Sequence, residues 1–153
     1  MKTLNLIIVF LLSVFISSTA YSQECRNFFN SNTFKKIIPK DFKDYGQAIN
    51  KSVEINETNN FEIVFNGNEE YLMIIAAEPG YGPVHFRILT PDNKMVLFDN
   101  ETKKFNESAN FYMQKTQSLS VEVTVMNTNE KNAPSKVKLV CLGIKINNRH
   151  YTE

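Results

Sequence analysis

Two patterns of apolar residues divide the chain. Leu4 to Ile16 is an apolar run interrupted only by Asn5 and Ser13, behind Met1 and Lys2 and ahead of a small, polar stretch from Ser17 to Gln23. A positive start, a short apolar centre and a small-residue end are the parts of a secretory signal peptide, and the run is too short to span a bilayer comfortably. Residues 1–22 are read as that signal, with cleavage after Ala20 or after Ser22 fitting equally well. Cys25 follows Ser22, Gln23 and Glu24, not the small residues of a lipoprotein signal, so no stable membrane anchor is expected once the signal is removed.

Beyond Lys51 the pattern becomes short runs of Val, Ile, Phe and Tyr, broken by Asn, Gly, Pro and Asp at intervals near ten residues. That rhythm predicts strands. Phe61, Ile63 and Phe65 alternate with Glu62 and Val64, and Asn66-Gly67-Asn68 closes the run as a tight turn. Tyr71 to Ala77 is apolar on both faces, as expected of a central strand covered on each side. Val84, Phe86 and Ile88 point opposite to His85 and Arg87. Pro91-Asp92-Asn93-Lys94 then turns the chain so that Met95 to Asp99 returns as a hairpin partner.

A further strand is expected over about Phe111 to Lys115. Leu119, Val121, Val123 and Val125 form the cleanest alternation in the chain. After a polar loop from Asn127 to Ser135, the last strand puts Val137 and Leu139 on one side, yet Val140, Leu142, Ile144 and Ile146 occupy the other. Either a bulge near Gly143 reverses the phase or something covers the second face. Ahead of the strands, Phe28, Phe29, Phe34, Ile37 and Ile38 lack clean helical spacing, although a short helix ending before Pro39 is compatible with them.

The fold class is therefore all-β: an antiparallel, jelly-roll-like β-sandwich of about seven to nine strands with a short N-terminal segment. Residues 23–50 are read as an extension packing on the sandwich, residues 51–148 as the sandwich and residues 149–153 as a tail. The block NNFEIVFNGNEEYLMIIAAEPGYGPVHFRILTPDNKMVLFDN, with SLSVEVTV and the closing Cys141, Gly143 and Ile144, resembles the prepeptidase C-terminal domain type of β-sandwich. It resembles more closely a group of small secreted bacterial proteins of unknown function. The resemblance covers roughly residues 50–146 and implies a fold. Such domains are usually non-catalytic appendages of secreted hydrolases, whereas this chain has no room for an enzyme beside the sandwich, so the resemblance carries no function and supplies no catalytic residue to carry over.

Charge narrows the partners. Loss of Lys2 with the signal brings the 17 Lys+Arg down to 16, equal to the 16 Asp+Glu. A neutral balance gives no attraction to nucleic acid or an anionic membrane. Export, to the outside or to a periplasm, favours thiol pairing, and the two cysteines allow one bridge, Cys25 to Cys141. Two free thiols are the alternative. Sequons stand at Asn50, Asn56, Asn100 and Asn106, but an Asn-rich chain generates such triplets by chance.

Reactive chemistry is sparse. A triad would have to recruit His85, on a polar strand face, or His150, at the chain end. Two distant histidines and two paired cysteines do not supply a zinc site. Asp92 and Asn93 could join Asp99, Asn100 and Glu101 around calcium only if a hairpin did not hold them at opposite ends. Glu69 and Glu70 are adjacent and should diverge, whereas Glu78, Asp99, Glu101 and Glu122 would need tertiary structure to meet. Tyr81, within Glu78-Pro79-Gly80-Tyr81-Gly82-Pro83, is the one binding candidate: its ring either forms a stacking platform or folds back on the sandwich end. No catalytic residue, metal or cofactor is expected. The functional expectation is an exported, non-enzymatic binding or structural module with a protein or glycan partner. Its alternatives are a carbohydrate-binding surface module and an accessory or inhibitor protein of an exported hydrolase.

Overall fold

The computed structural model describes residues 25, 28, 34, 38–92, 94–127 and 139–150. The expected signal peptide, most of the helix before Pro39, the loop after Asn127, Val137 and the residues after His150 lie outside them.

Eight strands follow in order: β1 (Lys43–Glu54), β2 (Thr58–Phe65), β3 (Glu69–Ala77), β4 (Val84–Leu89), β5 (Val96–Asp99), β6 (Ser108–Met113), β7 (Gln117–Val125) and β8 (Leu139–His150), with a 3-10 turn at Asn100–Lys103 between β5 and β6. They form two four-stranded antiparallel sheets, ordered β1-β8-β3-β6 and β2-β7-β4-β5. The pairs β4–β5, β3–β6, β2–β7 and β1–β8 nest inside one another, so the chain is one long hairpin rolled into two layers. This is the jelly roll, and β3 lies inside its sheet between β8 and β6, as its two apolar faces required.

The core lies between the sheets, where the inward residues of β2, β4 and β7 meet Tyr71, Met73 and Ile75 of β3 and Val140, Leu142, Ile144 and Ile146 of β8. Leu139 is 52% exposed, the reverse of its expected inward placement, while Val140 is buried. β8 pairs with β1 and β3 without a break at Gly143, so no bulge changes its phase. The other face is covered instead. Phe28, Phe34, Ile38 and Phe42 of the N-terminal segment lie on the outer side of the first sheet with Leu72, Ile74 and Ala76. Gly143 makes room for them, since a Cβ there would sit 2.8 Å from Phe34 Cζ and 3.0 Å from Phe28 Cδ1. The disulfide Cys25–Cys141, with 5.3 Å between Cα atoms, fastens the cover to β8.

Pairing in the first sheet begins at Lys43, ahead of the change in texture at Lys51. Strand β1 reads poorly because its register shifts between Asp44 and Ala48, where Gly46 takes φ +80° and its amide donates to Asp44 Oδ1 at 2.9 Å. Such a bulge also makes this long edge a poor template for another chain. β6 begins at Ser108, three residues before the expected Phe111. The Asn66–Asn68 turn carries the chain from one sheet to the other, with Asn68 in the left-handed region at φ 60°. Gly67 is needed for close approach: a Cβ would lie 2.9 Å from Lys115 Cα.

Tyr71 pins this corner. Its buried hydroxyl accepts the Asn66 amide at 2.8 Å and has the Asn66 carbonyl and a Glu69 carboxylate oxygen, each at 3.2 Å, as acceptors. Burial pushes the phenol far above its ordinary pKa, so it stays a neutral donor. Tyr45, Phe65 and Phe111 surround the ring at centroid distances of 5.1, 4.9 and 5.9 Å.

Candidate functional site

Tyr81 sits in the connection from β3 to β4, where Gly80 adopts φ +100°. The Gly82 amide donates to the Met126 carbonyl at 2.8 Å and the Met126 amide to the Pro83 carbonyl at 3.0 Å, stapling the loop to the end of β7. The Tyr81 ring is half-buried and packs against the core between the sheets. Nearby, Glu78 caps the start of β8, its amide donating to the Cys141 carbonyl at 3.0 Å and its carboxylate accepting from the Cys141 amide at 3.2 Å.

His85 projects from the polar face of the second sheet. The hairpin register ends at the pair Arg87–Asp99, with His85 on the same face two residues further along β4 and Glu101 in the 3-10 turn that follows β5. His85 Nε2 lies 3.0 Å from Asp99 Oδ1, and the ring meets Phe105 edge-on at 6.0 Å. Burial pushes the Asp99 carboxyl up, but the Glu101 amide, His85 and Arg87 outweigh it and hold it below its ordinary value. His85, Asp99 and Glu101 each offer a ligand atom, all within 4.8 Å of one another. Sequence reasoning missed this meeting: counting outward from the turn at residues 91–94 pairs residue 85 with 100, and the register shift between Ile88 and Leu89 and the 3-10 turn bring Asp99 and Glu101 to it instead. The Asp92 turn lies at the other end of the hairpin, as expected.

The next residue, Asn100, is fully buried and imitates a strand. Its Oδ1 accepts the Phe86 amide at 2.8 Å, while Nδ2 donates to the Val84 carbonyl at 2.8 Å and the Asn106 carbonyl at 3.1 Å. The sequon Asn100-Glu101-Thr102 is thus out of reach in the folded protein.

His150 stands at the far end of the first sheet, paired in register with Glu69, so the two histidines do not converge. It borders a polar cleft of about 640 Å³ lined also by Asp41, Lys43, Glu69, Glu70, Asn148 and Arg149. The charges there engage one another. Arg149 reaches Glu70 Oε2 through Nε at 2.7 Å, pairs with Asp41 and lies 4.8 Å over the Phe42 ring. Glu70 also accepts from Asn110 at 2.8 Å, whereas Glu69 accepts from Asn148 and the Tyr71 hydroxyl, so the two carboxylates diverge. The cleft is a clamp holding the N-terminal segment to β8. Both cysteines are bridged, which leaves no thiol nucleophile among the described residues.

The remaining feature is apolar. β5 and β6 are edge strands of opposite sheets, and four-residue β5 is too short to close over β6. Between them opens a groove of about 500 Å³ that reaches Ile88, Phe98, Phe111, Met113 and Leu119 of the interior. Leu97 lines it and is 48% exposed, and the preceding Met95 and Val96 are 60% and 47% exposed. From sequence this run reads only as a returning strand; its exposure follows from β5 being the sheet edge. Covering what each still exposes is worth about half of the roughly 1.5–3 kcal/mol of a whole side chain, so these residues contribute to an interface without making one alone.

No family model matches the chain, the prepeptidase C-terminal domain included, and no curated protein matches it. Among solved structures it is similar to PliG of Aeromonas hydrophila, a periplasmic inhibitor of g-type lysozyme, with a TM-score of 0.48 and 9% identity over 67% of this chain and 85% of that one. That likeness is too slight to carry the neighbour's role across.

Proposed function

We propose that the chain is an exported, non-catalytic module that binds another exported protein through the open side between β5 and β6. The observation that carries this reading is Leu97, half exposed in a groove that reaches the core and preceded by the exposed Met95 and Val96. Exposed apolar residues that cluster beside a groove mark contact surfaces more often than scattered ones do. The occupant that suits two unequal edge strands is an extended segment whose apolar side chains enter the groove while its backbone follows an edge. The disulfide supports an oxidising compartment. An accessory or inhibitory role toward an exported hydrolase is the narrower form of this reading. The glycan reading would depend on Tyr81, whose ring packs on the core, and therefore stands second.

The test is a binding panel of exported peptidases and cell-wall hydrolases, read by surface plasmon resonance and by residual hydrolase activity. Leu97→Arg is expected to abolish binding at unchanged thermal stability, because Leu97 is half exposed. Tyr81→Ala is expected to leave the complex intact. Binding that persists in Leu97→Arg, or is lost only in Tyr81→Ala, would move the site to the other loop.

A further inference from the structure

We propose that His85, Asp99 and Glu101 form a site for a divalent transition metal, with zinc as the representative ion. The inference is independent of the partner reading. One imidazole and two carboxylates come from β4, the end of β5 and the 3-10 turn, so three separate backbone positions converge. Tetrahedral zinc with bonds of about 2.0–2.1 Å places its ligand atoms about 3.3 Å apart. His85 Nε2 and Asp99 Oδ1 already stand 3.0 Å apart. Glu101 is exposed, and its side chain can close the remaining distance within the 4.8 Å cluster without moving the backbone.

Charge and support agree with that assignment. Two carboxylates with a neutral imidazole balance a dication, and the imidazole favours zinc, copper or nickel over calcium or magnesium. The nearby Arg87 cation is paired with Glu122, which moderates its repulsion. Asp99 is oriented by the Glu101 amide at 2.9 Å, the hydrogen-bonded carboxylate that metal sites commonly use. His85 binds through Nε2, which gives up its hydrogen bond to Asp99 Oδ1 as the ring proton moves to Nδ1, and the ring is steadied by the edge of Phe105. A fourth position faces solvent, left for water or for a side chain of a bound partner.

Isothermal titration with Zn2+ at neutral pH, on the untagged exported chain with its disulfide intact, tests the site. One equivalent is expected to bind, with affinity falling at least tenfold in His85→Ala and in Glu101→Gln and unchanged in His150→Ala. Circular dichroism melts accompany each variant; if His85→Ala does not fold, exposed Glu101→Gln decides alone. Absence of binding, binding indifferent to Glu101→Gln, or loss in His150→Ala instead would overturn the assignment. Equal binding of Ca2+ that survives His85→Ala would overturn the role of the imidazole.

Discussion

A single amide side chain completes the β4–β5 end of the second sheet. Asn100 gives its acceptor to the Phe86 amide and its donors to two carbonyls in a place closed to water. Asn100→Ala would leave a buried donor and two buried acceptors without partners, each costing about 1–3 kcal/mol. Urea denaturation is therefore expected to show a loss of at least about 2 kcal/mol, with an unchanged slope. Asp is a revealing second substitution, because it keeps the acceptor and loses both donors. Neither this role nor the His85–Asp99 meeting follows from local pattern: Asn100 sits in a stretch that reads as turn. By contrast, two cysteines can pair with each other in only one way, so the bridge was the leading expectation, with two free thiols as its alternative.

At the scale of elements, strands with steady alternation were legible and strands with a second constraint were not. β2, β4 and β7 have one face buried against the opposite sheet, so period two shows. β1 hides behind the irregularity at Gly46, and β8 carries apolar residues on one face and a covered Cys141 and Gly143 on the other. The cover itself makes two predictions. Gly143→Ala drives a methyl into Phe34 and Phe28 and is expected to destabilise by about 1–3 kcal/mol, seen as a lowered melting temperature. The Arg149 guanidinium holds the Asp41 carboxyl below its ordinary value of 3.8. A depressed carboxyl supports the folded form above the unfolded pKa and loses that support as pH falls through the folded value. The stability difference between wild type and Asp41→Asn should accordingly be present at pH 7 and be lost once the pH falls below the lowered Asp41 value. A difference that persisted there would remove Asp41 from the clamp.

For the whole molecule, the layered architecture was readable from strand spacing, but the open side was not. Whether Met95, Val96 and Leu97 face a neighbour or solvent depends on which strand is placed at the margin, and that is set by long-range pairing. The same pairing has a further result. Each of the six ladders among the described strands joins one of β1 to β4 with one of β5 to β8; no ladder links two strands of the same half. Cut at the exposed Pro91-Asp92 turn, either half would have no neighbour with which to build a sheet, so each fragment alone should be unstructured by circular dichroism. Mixed in equal amounts and oxidised, they should recover strand signal and the Cys25–Cys141 crosslink, as a two-piece reporter would. The rolled hairpin thus makes this protein a natural candidate for splitting and reassembly, with its seam at the tip of β4 and β5.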